Sequence, residues 1–208
     1  MNSFYFQNKV LHAESVPVSD LMGAYGSPLY IYSKSQIEFN WQQFEKSFGS
    51  HPHLICYAVK ANSNLAVLNV LANLGSGFDI VSIGELERVI AAGGNPKKCV
   101  FSGVAKTEQA IQKALEYGIY CFNVESVAEL DQIESVAASL KMNAPISIRV
   151  NPNVDAKTHP YISTGLTENK FGVSVEIALS LYKKTNLSDH LEVFGLDYHI
   201  GSQITDIS

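Results

Sequence analysis

The stretch FDIVSIGELERVIAAGG, residues 78–94, contains the pattern that decides the fold. Its first part, Phe78–Val81, is mostly apolar, as expected of a buried strand. Ser82 and Glu85 follow with the spacing of a capping box, which is typical of a helix start. The predicted helix runs to Ala92 and ends before two successive glycines, the residues that most readily adopt the left-handed conformation of a helix stop. A strand followed directly by a helix predicts a βα unit.

The same unit recurs along the chain. Short apolar runs alternate with helical patterns, which is typical of βα units that form a parallel sheet. The predicted strands are Leu54 to Val59, Phe78 to Val81, Cys99 to Phe101, Ile119 to Asn123, Ile146 to Val150 and Leu191 to His199. Ser126 and Glu129 repeat the capping-box spacing at another predicted helix start.

The first fifty or so residues do not follow this repeat. They contain the alternating Phe4 and Phe6, a short helix predicted after Pro17, a strand predicted from Pro28 to Tyr32 and a helix predicted to begin at Ser33. We therefore expect this part of the chain to be organised differently from the rest.

Polar side chains stand at or just beyond the carboxyl ends of the predicted strands. They are Lys60, Asp79, Ser102, Asn123, Arg149 and His199. In a (β/α)8 barrel these ends converge on one face, where active sites are built. An open doubly wound sheet would instead carry a glycine fingerprint after its first strand, and the sequence has none there. We therefore predict an α/β fold of the (β/α)8, TIM-like barrel type, with these six side chains facing one centre.

The number of strands limits how much of such a barrel the chain can form. Only six predicted strands fit into the 208 residues, whereas the barrel needs eight. We therefore expect the barrel to be incomplete here and the chain to be the first part of a longer protein.

Composition excludes several classes of function. Fifteen basic and twenty acidic residues give a net charge of −5, which disfavours nucleic-acid binding. No apolar run reaches the length of about 18 residues that a membrane span needs, and Met1–Val10 lacks the core of a signal peptide, so we expect a cytoplasmic protein without membrane contact. Three cysteines without C-x-x-C spacing indicate reduced thiols. His51 and His53 have too few partners for a metal site, and we predict no metal.

The residues around Lys60 resemble a known cofactor motif. Tyr57-Ala-Val-Lys60-Ala-Asn62 is similar to the pyridoxal-phosphate lysine motif of the alanine-racemase-like, fold-type III decarboxylases. Further segments match in that family's order, and they are Gly77–Leu86, Phe101–Thr107, Asn123–Ser126, Arg149–Pro152, His159–Gly165, Lys170–Gly172 and His199–Gln203. The resemblance implies a pyridoxal 5'-phosphate cofactor, a small amino-acid substrate and a homodimer with its active site at the interface.

The resemblance also implies roles for particular residues. Lys60 would bind the cofactor covalently and His199 would lie against one face of its pyridine ring, so we expect both to be catalytic. The other implied cofactor-binding residues are Asp79, Glu85, Arg149, Gly201 and Ser202. Asp79 and Glu85 would bias protonation near Lys60, while Arg149 would support the pocket through charge-assisted hydrogen bonds.

Several of these residues also have ordinary structural explanations. Glu85 fits a capping box with Ser82, and Asp79 would serve equally well as a cap of the following helix. Arg149 would fit a buried ion pair at a strand end, and His199 taken alone would fit an apolar core. These alternatives stay open at the level of the sequence.

The block His159–Gly165 points to a substrate. It is most similar to that of the family members that decarboxylate meso-2,6-diaminopimelate to L-lysine and carbon dioxide, the last step of lysine biosynthesis. We expect His159, Tyr161, Ser163 and Thr164 to line the substrate side of the site. The alternatives are a relative acting on ornithine, arginine or carboxynorspermidine, and a non-catalytic pyridoxal-phosphate-binding barrel protein.

The resemblance finally implies a division of the chain. Residues 1–32 would belong partly to a second, β-rich domain, and residues 33–208 would form the first part of the cofactor-binding barrel. Because strands and phosphate-binding parts would come from the missing C-terminal half, we expect the isolated 208-residue chain to be inactive.

Overall fold

The structure is a computed structural model, and it describes residues 3–152 and 171–201. Nine strands are present in this part of the chain: β1 Phe4–Gln7, β2 Val10–Ala13, β3 Val16–Pro17, β4 Cys56–Ala58, β5 Gly77–Ile80, β6 Cys99–Phe101, β7 Cys121–Val124, β8 Ala144–Arg149 and β9 Leu191–Asp197. The α-helices of the same residues are α1 Val18–Tyr25, α2 Lys34–Phe48, α3 Leu65–Asn73, α4 Ile83–Ala91, α5 Glu108–Tyr117, α6 Val127–Leu140 and α7 Val175–Thr185.

The first three strands form a small antiparallel sheet of their own, in the order β1-β2-β3. The short helix predicted after Pro17 is confirmed as α1. The strand predicted for Pro28 to Tyr32 is wrong, because these residues pair with no strand in the described part of the chain. An extended segment becomes a strand only when a neighbour satisfies its backbone groups, and local sequence does not reveal whether a neighbour exists. The domain boundary near residue 32 stays a prediction.

The other six strands form one parallel sheet whose spatial order, β4-β5-β6-β7-β8-β9, is the order along the chain. All six predicted strands are thereby confirmed, with ends that differ from the predicted ones by at most two residues. Each strand pairs with the next one, as in the pairing of Ala58 with Asp79 and of Asn123 with Ser147. This is the sheet of an incomplete (β/α)8 barrel, as the strand count predicts.

The core lies between this sheet and its helices. Alternate residues of the strands, such as Phe78, Ile80, Phe122 and Ile148, are completely buried against helix residues that include Leu130. Because successive side chains of a strand point to opposite faces, the residues between them face the inside of the incomplete barrel. Each fully buried large side chain contributes about 1.5–3 kcal/mol relative to its exposed state, so the outer face holds the sheet in place. The inner face can carry polar side chains.

Local sequence explains where the helices begin and end. Ser82 and Ser126 accept hydrogen bonds from the backbone N–H groups three residues later, at 3.3 and 3.2 Å, as the capping-box spacing predicts. Helix α5 ends at Gly118, which has a left-handed φ of 66°. Within residues 3–152 and 171–201, no helix combines the length and the apolar character that crossing a bilayer requires.

Candidate active site

A cavity of about 690 Å³ opens at the carboxyl ends of the parallel strands. The six polar strand-end side chains all line it, so the predicted convergence on one centre is present. The lining residues are Cys56, Ala58, Lys60, Asp79, Val81, Val100, Ser102, Gly103, Asn123, Glu125, Arg149, Phe171, Asp197, Tyr198 and His199. Most of the lining residues that belong to the strands themselves are small or polar, where many barrels carry bulky aliphatic side chains.

Lys60 lies on a short turn just beyond β4. A single 3-10 turn, Val59–Ala61, follows the strand, and the completely buried Val59 anchors it. The side chain of Asn64 then accepts a hydrogen bond from Ala66 N at 2.9 Å and starts helix α3. Lys60 is the only lysine among the described residues that line the cavity.

Lys106 is the other lysine close to these strand ends, and it has a different environment. Its ammonium group donates to Gly103 O at 2.5 Å, to Asn123 O at 2.9 Å and to Glu129 Oε1 at 2.7 Å. An ammonium group has three protons to donate, and these three acceptors use all of them. Lys106 is therefore held as a buried cation, which leaves Lys60 as the better nucleophile on geometric grounds.

Asp79 belongs to a hydrogen-bonded row across three strands. Ser102 Oγ donates to Asp79 Oδ1 at 2.5 Å, and Asn123 Nδ2 donates to Ser102 Oγ at 3.1 Å. Burial raises the pKa of Asp79, while the Ser102 hydrogen bond and the Lys60 charge oppose that rise. The side chain of Asp79 therefore binds a proton more readily than an exposed aspartate and is held in one orientation.

Arg149 is surrounded by carboxylates. Its Nη1 lies 3.4 Å from both oxygens of Glu125, and its Nε lies 3.9 Å from Asp197 Oδ2. The guanidinium carbon is 5.3 Å from the centre of the Phe171 ring, within the range of a cation–π contact. Burial raises the pKa of Asp197, and the charge of Arg149 opposes that rise. Charged neighbours on two sides thus fix the guanidinium of Arg149 inside the cavity.

His199 follows β9 and lines the same cavity. Burial lowers the pKa of its imidazole, and the positive charges of Arg149 and Lys60 lower it further. The neutral imidazole ring is therefore favoured at pH 7.

The structure does not bring every predicted site residue to this cavity. Glu85 Oε2 accepts a hydrogen bond at 2.7 Å from Val81 N, one residue before the N-cap Ser82, and Glu85 is absent from the cavity lining within the described residues. Gly201 lies two residues beyond His199 and is likewise absent from that lining. The cofactor roles of both stay predictions. Ser202, His159, Tyr161, Ser163 and Thr164 lie outside the described residues.

Two acidic residues of the cavity were not predicted as site residues. Glu125 stands one residue beyond β7, and Asp197 is the last residue of β9. Asp197 could have been predicted from the sequence, because residues two apart in a strand share a face and His199 was already a predicted site residue. Glu125 was harder to predict, since a carboxylate between a strand and a capping serine also fits a role at the helix start.

The three cysteines are free thiols, as predicted. Among the described residues, no group of three or more His, Cys, Asp or Glu side chains could hold a metal ion.

Comparisons with known proteins identify the family. The model of the pyridoxal-binding domain of pyridoxal-dependent decarboxylases matches residues 34–208. Diaminopimelate decarboxylase of Vibrio cholerae is 58% identical over 204 residues, which cover 98% of this chain and 49% of that protein. The same enzyme of Haemophilus influenzae is 56% identical over 207 residues, which cover 100% of this chain and 50% of that protein.

Solved structures agree with this result. Diaminopimelate decarboxylase from Helicobacter pylori, complexed with L-lysine, has a TM-score of 0.88 at 48% identity and covers 91% of this chain and 48% of its own. The M. jannaschii enzyme in co-complex with L-lysine has a TM-score of 0.90 at 38% identity, and the match covers 99% of this chain and 49% of that one. The chain thus spans about half the length of the relatives it matches. It belongs to the pyridoxal-dependent decarboxylase family and contains the pyridoxal-binding domain of that family.

Proposed function

We propose that the full-length protein carrying this chain is a pyridoxal-phosphate-dependent carboxy-lyase that converts meso-2,6-diaminopimelate to L-lysine and carbon dioxide. The observation that carries the proposal is the meeting of Lys60, Asp79, Arg149 and His199 in one strand-end cavity. The identity of 58% to a diaminopimelate decarboxylase supports the choice of substrate.

The residues present fit the cofactor. A cavity of about 690 Å³ is within the usual range for a bound small molecule, and it offers one amine, one guanidinium and a flat imidazole. Lys60 would hold the cofactor covalently, and His199 would lie against its ring. When bound, pyridoxal phosphate supplies an electron-withdrawing ring that stabilises the charge left on the substrate as its carboxylate departs.

The chain's own residues would orient the reactants and control protons. His199, favoured in its neutral form, would cover one side of the cofactor and exclude water. Asp79 would hold or release a proton near the Lys60 amine, with its oxygen fixed by Ser102. Arg149 would supply a positive charge whose position is set by the carboxylates around it.

The proposed substrate rests on sequence identity to the relatives and not on the fold. A lysine decarboxylase from Selenomonas ruminantium also matches this chain, with a TM-score of 0.80 at only 25% identity. The barrel therefore serves more than one amino-acid substrate. We expect the block from His159 to Gly165 to recognise the distal ammonium and carboxylate of diaminopimelate, where binding energy can be used at the reacting centre.

The proposal includes a cytoplasmic homodimer. Charged residues make up 17% of the chain, below the roughly 25% typical of soluble domains, which fits a surface partly covered in the assembly. Light scattering of the full-length protein at several concentrations tests the dimer, and a monomer at all of them would contradict it.

Borohydride reduction tests the cofactor assignment. Peptide mapping of the reduced full-length protein should find the pyridoxyl group on Lys60, and the Lys60→Ala variant should lose it. Lys113→Ala is the matched control, because Lys113 pairs with Glu87 on the surface, and it should remain labelled. Label on Lys106 or Lys170 would overturn the assignment.

Substrate competition tests the reaction. Carbon dioxide release should be fastest from meso-diaminopimelate when ornithine and arginine are supplied at equal concentration. Ser163→Ala with Thr164→Ala should lower kcat/KM for diaminopimelate and leave the cofactor absorption spectrum unchanged. A preference for ornithine or arginine would contradict the substrate assignment and leave the cofactor assignment standing.

A further inference from the structure

We propose that Glu125 is a positioning residue of this site, which holds the guanidinium of Arg149 inside the cavity through a buried two-oxygen contact. This inference rests on the proposed function, because Arg149 matters only if the cavity binds the cofactor and substrate. Glu125 itself need not touch either of them.

The contact between the two side chains is almost completely buried. The Glu125 side chain is 1% exposed and that of Arg149 is 14% exposed. Both carboxylate oxygens lie 3.4 Å from Arg149 Nη1, and Glu125 Oε1 also accepts a hydrogen bond from Gly103 N at 2.8 Å. A carboxylate at this depth is costly to bury unless it is paired, and Arg149 is the cation that pairs with it.

The backbone that carries Glu125 is fixed as well. Glu125 N donates to Glu129 Oε2 at 3.2 Å, and Glu129 Oε1 accepts from the buried ammonium of Lys106. Lys106 also donates to backbone oxygens after β6 and at β7. Glu125 therefore stands on a rigid strand end, as a residue that positions another side chain must.

Two similar strand-to-helix segments of the chain show that the position of Glu125 is not needed to start the helix. Residues 78–86, FDIVSIGEL, and residues 122–130, FNVESVAEL, have the same strand-to-helix pattern and the same capping pair of serine and glutamate. Where the second unit has Glu125, the first has Val81, which also lines the cavity. The connection between strand and helix thus forms without a carboxylate at this position. The charge of Glu125 serves the cavity and not the helix.

The charged groups around Glu125 come from every neighbouring strand end. They are Lys60 after β4, Asp79 on β5, Lys106 and Glu129 beside β6 and β7, Arg149 on β8, Asp197 on β9 and His199 beyond it. The negative charge of Glu125 raises the pKa of His199, of Asp79 and of Asp197. Its removal should therefore shift the titration of the site to lower pH, in addition to releasing Arg149.

The test uses the full-length holoenzyme with Glu125→Gln, which keeps the shape and removes the charge, and Glu125→Val, which copies the side chain of the first unit. Both should bind pyridoxal phosphate about tenfold more weakly in equilibrium titration. The pH profile of kcat/KM should move to lower pH. Glu87→Gln, on the surface, is the matched control and should leave both measurements unchanged.

A double-mutant cycle shows whether Glu125 acts through Arg149. In an Arg149→Lys background, Glu125→Gln should cause little further loss of cofactor affinity. Additive losses would overturn the inference, and so would wild-type affinity and pH profile in both Glu125 variants. A fall in thermal midpoint alone, with an unchanged pH profile, would mark Glu125 as merely structural. Failure of the proposed function is separate, because the wild-type protein would then carry no pyridoxyl label on Lys60.

Discussion

Replacing Lys106 by methionine should strongly destabilise the protein. Methionine keeps an unbranched apolar stem but has no ammonium group, so Glu129 and the two backbone oxygens at Gly103 and Asn123 lose their donor. The Lys106 side chain is completely buried and that of Glu129 is 9% exposed, so water cannot easily replace the lost bonds.

The structure sets the size of the effect. Removing one member of a buried ion pair leaves an uncompensated charge and typically costs about 3–5 kcal/mol. The exposed pair of Lys113 and Glu87 has a similar distance, 2.9 Å, but water screens it, so its loss should cost far less than the loss of the buried pair. Lys113→Met is therefore the matched control.

Acid should partly relieve the defect. Burial raises the pKa of Glu129, and the positive charge of Lys106 opposes that rise. Without Lys106 the pKa of Glu129 in the folded state rises further above its value in the unfolded chain. As the pH falls, Glu129 therefore binds a proton in the folded state before it does so in the unfolded chain, and this protonation favours the folded state. The deficit of Lys106→Met relative to wild type should shrink as the pH falls from 7 towards that raised pKa.

Denaturant unfolding of the full-length protein measures these free energies. The double variant with Glu129→Gln should recover part of the loss, because the unpaired charge is gone. A loss of unfolding free energy for Lys106→Met that is no larger than that for Lys113→Met would refute the reasoning.

Three other predictions concern packing, ionisation and capping. Gly77→Ala should lower the free energy of unfolding by about 1–3 kcal/mol, measured by thermal unfolding. The new Cβ would lie 2.6 Å from the backbone oxygen of Lys98, and a backbone atom cannot move aside as a flexible side chain can. Burial raises the pKa of Cys56 to about 11 and those of Cys99 and Cys121 to about 12, so iodoacetamide at pH 8 should alkylate the native protein far more slowly than the unfolded chain. Two hydrogen bonds at the start of α2 lower the pKa of Glu14, so Glu14→Gln should be less stable than wild type at pH 7 and equal to it once the pH is below that lowered pKa.

Periodicity explains why the parallel sheet could be predicted. Buried strands such as Phe78–Val81 and Ile146–Val150 are short apolar runs, and capping serines mark the helices that follow. Since parallel strands share one direction, the side chains at their carboxyl ends must meet, and this alone brings Lys60, Asp79 and Arg149 together.

The features that sequence could not predict depend on contacts between distant residues. Residues 28–32 have the composition of a strand, but pairing depends on a neighbour that local sequence does not specify. Lys60 and Lys106 both follow strands, and only the structure distinguishes the lysine with three acceptors from the one on the cavity wall. Glu125 likewise gains its meaning from Arg149, which lies 24 residues further along the chain.

The agreement between spatial order and chain order in the parallel sheet has a consequence for biosynthesis. Each strand from β5 to β9 pairs with the strand translated immediately before it. A ribosome that adds residues from the amino end therefore releases each strand from β5 to β9 next to a partner strand that is already made, so none of these five must wait for a distant segment to pair on that side. Nascent chains arrested after successive βα units should consequently become protease-resistant one unit at a time, as the cavity wall grows strand by strand.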